Sequence, residues 1–408
     1  MGGEDALKAV VTGAHEKGIR VLMDFVINHV HEDHTYFREN PDWFNAGCVC
    51  GSPGCDWTEQ RLTCLFADYM PDVDWTNKAA SEPFIDDALW WMETLDLDGA
   101  RVDAVKHVDD LAVFNLVARV NERFETAGTD YYLDGETAMG WAGDRLEDNA
   151  AQYDTINRYM GENGLDGQFD FVLYHAVTNS VFSYGERGML HLDAWTGFSQ
   201  TEYTEGAIMT PYLGSHDTSR LVSTCDYRGQ DAEHSRDVVW NKWPENTLPE
   251  APSEDEPYQR AGVALCWLLT IPGAPMIYMG DEYGEYGGGD PDNRHMFRED
   301  ELLSTRESEL LTRVKDVGSA RQRLRPLRRG DYASLGSTEA VMVFARRTSD
   351  DDVVVAINGA ADERTVVVDL PDAAAIYSEV LGHGGDIEQS GGSATLTIPG
   401  RSCAIFAH

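Results

Sequence analysis

The sequence predicts an α/β fold: a (β/α) barrel of the TIM type over residues 1–328, with an inserted Cys-rich region at 30–78, then a C-terminal antiparallel β-sandwich over 329–408. Three observations predict it. Strand-like and helix-like segments alternate as far as Leu327, and strands separated by helices of that length form parallel βαβ units. Acid, base and cation are packed together where several of these strands finish, the end of a barrel at which chemistry is done. After Leu327-Arg-Arg-Gly330 only short strand-like runs remain, separated by Gly, Asp and Ser turns.

Ala6 to Lys17 reads as an amphipathic helix and Ile19 to Val26 as a buried strand. Ser81 to Leu95 reads as a helix with Ser81 as N-cap and Pro83 in its first turn. Strand Asp98 to Val102, helix Val108 to Thr126, strand Tyr131 to Leu133, a short helix near Asp144 and strand Gln168 to Phe171 follow. Then come a helix from Val172, strand Thr210 to Leu213, an apolar helix from Tyr258 to Thr270, strand Ala274 to Tyr278 and a helix from Ser304 to about Arg323. Lys242 to Pro257, rich in Pro, Glu and Asp, is a surface loop. The β domain is expected from Val341 to Arg346, Val353 to Asn358, Thr365 to Val368, Ala394 to Ile398 and Ala404 to Ala407.

Composition excludes several function classes. With 71 acidic against 32 basic residues the formal net charge is −39, which repels nucleic acid and anionic membranes. No apolar run approaches the ~20 residues of a membrane span, and no secretory signal opens the chain, so a cytoplasmic location is expected. An acidic surface with few lysines suits a halophilic protein, because concentrated salt screens its self-repulsion.

Two stretches carry most of the chemistry: Gly99-Ala-Arg-Val-Asp-Ala-Val-Lys-His107 and Gly214-Ser-His-Asp-Thr-Ser-Arg220. Between them Leu133-Asp-Gly-Glu136 is a third strand-like run ending in a carboxylate, so Asp103, Glu136 and Asp217 converge if these strands are neighbours in one barrel. Arg101, two residues before Asp103 and therefore on the same strand face, would hold that carboxylate ionised. Each residue also has a purely structural reading: Arg101 and Asp103 as an ion pair, Glu136 as a turn carboxylate, His216-Asp217 as a helix cap, and Asp281-Glu282 as a structural pair.

Four motifs in order, Asp24-Phe-Val-Ile-Asn-His29, Gly99 to His107, Asp134-Gly-Glu136 and Ser215-His-Asp217, resemble the α-amylase superfamily, glycoside hydrolase family 13. Tyr69-Met-Pro-Asp-Val-Asp-Trp75, Leu213 to Arg220, and Gly280-Asp-Glu-Tyr283 with Gly288 to Arg294 look most like its cyclomaltodextrinase, neopullulanase and maltogenic amylase group. The resemblance implies a retaining hydrolase of α-glucans with Asp103 as nucleophile, Glu136 as general acid and base, and Asp217 as stabiliser of the distorted sugar. It implies sugar contacts for His29 and His216 beside the cleaved bond and for Lys106 and His107 on the leaving-group side. Asn28 matches a Ca²⁺ ligand of many members; a strand-end hydrogen-bonding role is the alternative. No organic cofactor is implied.

Cys48, Cys50, Cys55 and Cys64 cluster in one Gly- and Pro-rich loop, which the resemblance makes an inserted region forming one wall of the cleft. A structural Zn²⁺ held by four thiolates, disulfides and free thiols all remain open. The Asp-x-x-x-Asn-His motif follows the third barrel strand in the family, yet here it begins at residue 24, so the expected barrel lacks its first strands. Two functions stand: an α-glucan hydrolase (α-amylase, α-glucosidase and glucanotransferase being variants within the class), or a truncated fragment that binds carbohydrate or a partner without catalysis. Exposed sheet edges would favour homo-oligomers.

Overall fold

The structure, a computed structural model, describes residues 2–125, 128–229 and 235–408. These divide into two compact units, one running to Phe171 and including Tyr203–Thr210, the other comprising Val172–Glu202 and Pro211–His408. Among the described residues no helix is long and apolar enough to cross a membrane.

The first unit is built on a parallel sheet. Its strands are β1 (Leu22–Phe25), β4 (Gly99–Val102), β5 (Tyr132–Gly135) and β6 (Gly167–Gln168), hydrogen-bonded in that order; β2 (Phe44–Asn45) and β3 (Asp72–Val73) form a small antiparallel pair beside them. The register aligns Asp24 with Arg101 and Arg101 with Asp134, so the three polar positions occupy one level of three adjacent strands. Phe169 continues the order with a parallel bridge to Thr210. At Gly99 (φ +154°) an added Cβ would fall 2.0 Å from the Tyr132 carbonyl oxygen, so only glycine lets the β4 and β5 backbones approach there.

Two expectations for this unit are corrected. β1 is not a buried strand: only β4 pairs with it, and Ile19, Leu22 and Val26 are exposed along it. The helix expected from Ser81 begins three residues earlier, as Lys78–Leu95, because the Asn77 side chain accepts from the Ala79 N–H at 3.0 Å. Ser81 and Pro83 therefore lie within the helix, and Ser81 donates to the Lys78 carbonyl instead. Ile85, Ala88 and Met92 of that helix share a core with Val102 and Leu133 of the sheet and with Val113, Leu116 and Val120 of helix Asp110–Phe124. Full burial of each large aliphatic side chain contributes about 1.5–3 kcal/mol. Asp109 caps this second helix through the Leu111 N–H, and its expected end at Thr126 lies outside the described residues.

The expected strands Thr210 to Leu213 and Ala274 to Tyr278 reduce to isolated parallel bridges, Thr210 to Phe169 in the first unit and Tyr212 to Met276 in the second. Helix Asp255–Thr270 is almost wholly buried, and helix Thr305–Arg323 opens with a capping box in which Ser304 and Glu307 satisfy each other's backbone N–H groups. The all-β region contains β7 (Asp331–Ser334), β8 (Val341–Arg347), β9 (Asp352–Asn358), β10 (Arg364–Asp369), β11 (Ser378–Glu379), β12 (Asp386–Ser390), β13 (Ser393–Ile398) and β14 (Ser402–Ala407). They form antiparallel sheets in the orders β11-β14-β9-β8-β7 and β10-β13-β12, which share one apolar core through Val343, Val354, Phe406, Val366 and Leu396. β10 and β13 alternate buried and exposed positions; β8, β9 and β14 are buried on both faces and read as continuous apolar runs.

Candidate active site

In the first unit the C-terminal ends of β1, β4 and β5 deliver charged side chains to one guanidinium. Arg101 Nη1 donates to Asp24 Oδ1 and to Asp103 Oδ1, each at 2.6 Å, and Nη2 stands 3.0 Å from Glu136 Oε1. The Arg101, Asp103 and Glu136 side chains are largely enclosed. Burial alone would penalise the Arg101 cation, but Glu136, Asp103 and Asp24 outweigh it and raise its pKa further, so it is permanently charged. Phe169 lies beneath it, 5.5 Å from guanidinium carbon to ring centroid.

The backbone after Asp103 is bent to serve Glu136. Ala104 adopts a left-handed conformation (φ +50°) that costs an alanine roughly 1–2 kcal/mol. In return its N–H points at Glu136 Oε2 (3.2 Å) while the Val105 N–H donates to the Glu136 carbonyl at 2.8 Å. Below this layer Asp134 accepts from Thr210 Oγ1 at 2.9 Å, and burial pushes its carboxyl up to about 7, with Thr210 and the Arg101 charge opposing.

His29 is mostly enclosed; burial lowers its pKa, Asp103 partly opposing, so it is neutral at pH 7, and its Nδ1 has no hydrogen-bond partner among the described residues. His107 is pushed down to about 4 by burial and its Nδ1 meets the Arg61 carbonyl at 2.9 Å. Burial also lowers Lys106, against the attraction of Asp56. Asn28 is fully buried next to Asp72, whose carboxyl burial pushes up to about 8 against Asn45 and Asn28. Asn28 Oδ1 and Asp72 Oδ1 both lack a hydrogen-bond partner among the described residues.

His216 and Asp217 belong to the second unit. Their side chains meet at 3.3 Å, and the Asp217 N–H donates to Ser215 Oγ. Asn293 Nδ2 holds the turn through the His216 and Thr218 carbonyls at 2.8 and 2.7 Å, and Arg294 reaches the His216 carbonyl and, at 3.7 Å, Asp217. Buried Arg220 pairs with Asp281 at 3.0 Å.

Thus the first unit gathers Asp103, Glu136, Arg101, His29, Lys106 and His107, while His216 and Asp217 belong to the second. Sequence reasoning missed Asp24 as a third carboxylate on Arg101, together with Arg61 and Asn293. Asp24 opens one of the motifs, and its separation of 77 residues from Arg101 along the chain hid the pairing.

Residues 1–48 and 49–242 match the α-amylase catalytic domain, and residues 336–408 match the α-amylase C-terminal all-β domain. The chain belongs to the α-amylase family. It is 28% identical over 374 residues to a cyclomaltodextrinase of Geobacillus thermopakistaniensis, covering 88% of this chain and 54% of that protein. It is 26% identical over 385 residues to neopullulanase 2 of Thermoactinomyces vulgaris, covering 90% and 56% respectively. An α-amylase from Geobacillus thermoleovorans, solved with acarbose, superposes with a TM-score of 0.78 at 25% identity, covering 99% of this chain and 80% of that one. The chain spans about half the length of the curated relatives it matches.

Of the three readings left open for the loop cysteines of this α-amylase-family chain, the structure has the disulfides. Cys48 is bonded to Cys55 and Cys50 to Cys64, with Cα separations of 6.0 and 5.1 Å that suit disulfides. Sulfurs committed to disulfides offer no thiolates, so Cys48, Cys50, Cys55 and Cys64 do not form a four-thiolate Zn²⁺ site. A third disulfide joins Cys266 to Cys403.

Proposed function

We propose that the chain is a retaining α-glucan hydrolase that cleaves α-1,4 bonds, and α-1,6 bonds in some substrates, of maltodextrins, cyclodextrins or starch. The observation that supports this best is the single guanidinium of Arg101 shared by Asp103 and Glu136 at the ends of adjacent parallel strands. Two carboxyls on adjacent nitrogens of one guanidinium suit the spacing of about 5–5.5 Å that a retaining double displacement needs.

Asp103 attacks the anomeric carbon, the carbon–oxygen bond to the leaving sugar breaks, and Glu136 gives that oxygen its proton. Water, deprotonated by Glu136, then displaces Asp103 from the glycosyl-enzyme with a second inversion. Arg101 holds the Asp103 carboxylate in place through the 2.6 Å hydrogen bond, and neutral His29 is assigned a sugar contact through its ring. His216 is assigned a sugar contact and Asp217 the stabilisation of the distorted ring. Sugar in place of water as acceptor gives transglycosylation.

Asn28 Oδ1 and Asp72 Oδ1 fit a Ca²⁺ ion in kind, being buried oxygens without donors, and would supply two of its usual six to eight ligands. Bound there, the ion would supply structural cross-linking and no chemistry. The disulfides favour an oxidising compartment over the cytoplasmic location expected from the sequence. The net charge of −39 favours concentrated salt as the working medium.

The test is reducing-sugar release from β-cyclodextrin, pullulan and soluble starch in molar KCl, with Asp103→Asn as the comparison. Activity is expected in the native chain and lost in the variant, with the α-anomer appearing first by NMR. Folded protein that binds these glucans without turnover would replace the hydrolase with a carbohydrate-binding module.

A further inference from the structure

We propose that Trp57 is the stacking platform for a glucosyl residue on the leaving-group side of the site, presented by a loop that two disulfides hold in shape. The inference rests on the reading of the chain as a glucan-acting protein.

Four rings pack in one cluster. His29, on whose pKa Asp103 acts, packs on Phe66 (centroids 5.0 Å apart), and Phe66, His107 and Trp57 contact one another, Phe66 to His107 at 4.8 Å, Trp57 to Phe66 at 5.5 Å and Trp57 to His107 at 5.6 Å. His29 and Phe66 are partly buried and His107 is buried, whereas Trp57 is 43% exposed. An exposed indole at the rim of a polar site leaves apolar area uncompensated, and the C–H face of a pyranose ring is a surface that matches it.

The loop is made to hold this ring still. The Cys48–Cys55 and Cys50–Cys64 bridges fold residues 48–64 back on themselves, and Cys50 and Cys64 lie against His107. Gly51 (φ +78°) passes directly under the indole, where an added Cβ would fall 2.6 Å from Trp57 Nε1. Arg61 joins the loop to the turn that follows the nucleophile: its Nη1 donates to the Lys106 carbonyl and to Tyr159 Oη, both at 2.9 Å, while its own carbonyl meets His107. Trp57 is thereby fixed relative to Lys106 and His107, the side chains to which the resemblance gives leaving-group sugar contacts. A ring immobilised by covalent bonds loses little entropy on binding, which is what a specificity platform requires.

The test compares kcat/KM for maltoheptaose with that for p-nitrophenyl α-maltoside, whose leaving group carries no sugar. Trp57→Ala should lower the ratio about five- to tenfold, mainly through KM, and Trp57→Phe should restore most of it. Equal losses on both substrates, or a fall in melting temperature with no change in the ratio, would overturn the assignment. Calorimetric titration of Glu136→Gln with maltoheptaose separates this from the hydrolase reading. Binding weakened by a second Trp57→Ala change supports the platform even if no glucan is turned over, and binding that is unaffected overturns it even if hydrolysis is established.

Discussion

Arg101 on β4 and Asp103, the residue just past the end of that strand, are joined at 2.6 Å by the same guanidinium nitrogen that reaches Asp24. With Glu136 on the second nitrogen, three carboxylates depend on one cation. Replacing it should therefore do more than weaken one contact. Arg101→Lys places a single point charge where a planar fork spans three acids, and Arg101→Met leaves the acids to repel one another. Both should lower kcat/KM on soluble starch by about 10²–10³-fold in steady-state assays, with far-UV circular dichroism confirming the fold. Unchanged kinetics in Arg101→Lys would show that the guanidinium is only a structural tie.

Asp134 predicts a pH signature. Burial raises its folded carboxyl to about 7, against about 3.9 for an unfolded Asp, so the native state binds this proton more tightly than the unfolded one. Stability from this group is therefore complete below about pH 4 and is lost as pH rises through 7. Thermal unfolding of the native chain and of Asp134→Asn should show a stability difference that changes across pH 4 to 7 in favour of the variant. Parallel curves would mean that Asp134 stays ionised in the fold.

The orphaned oxygens of Asn28 and Asp72 predict a calcium response. At free Ca²⁺ about a hundredfold above its dissociation constant, the melting temperature should rise by about 5 °C, and EDTA should reverse it. Asn28→Ala should abolish the response, whereas an equal rise in that variant would place the ion elsewhere.

The Cys266–Cys403 bridge closes a separation of 137 residues between helix Asp255–Thr270 and β14. Removing it as Cys266→Ser/Cys403→Ser should cost about 2–5 kcal/mol in urea unfolding, with buried Cys225 left as the free thiol. A change below about 1 kcal/mol would mean that the unfolded chain is already constrained there.

The strand and helix order was legible wherever a period was strong. Gly99 to Val102, helix Asp110–Phe124 and the β8, β9 and β14 runs lie where alternation and apolar content put them. The misreadings came from competition between local signals. Asn77 and Ser81 are both good caps, and the earlier one won because its side chain reaches the Ala79 N–H. β1 carries apolar residues that read as buried, but burial depends on what stands on its second edge, which is not a property of the strand.

By itself the sequence determined which residue types follow the apolar runs: carboxylates at 103, 136 and 217 and histidines at 29, 107 and 216, with a cation at 101. These follow from spacing along the chain and from which side of a strand alternate residues face. Only the tertiary structure decided that Asp24 shares the Arg101 guanidinium, that the loop cysteines pair as disulfides, and that Trp57 packs against Phe66 and His107. Each depends on distances of a few ångströms between residues far apart in sequence. Such distances arise from strand register and core packing, which no local pattern encodes.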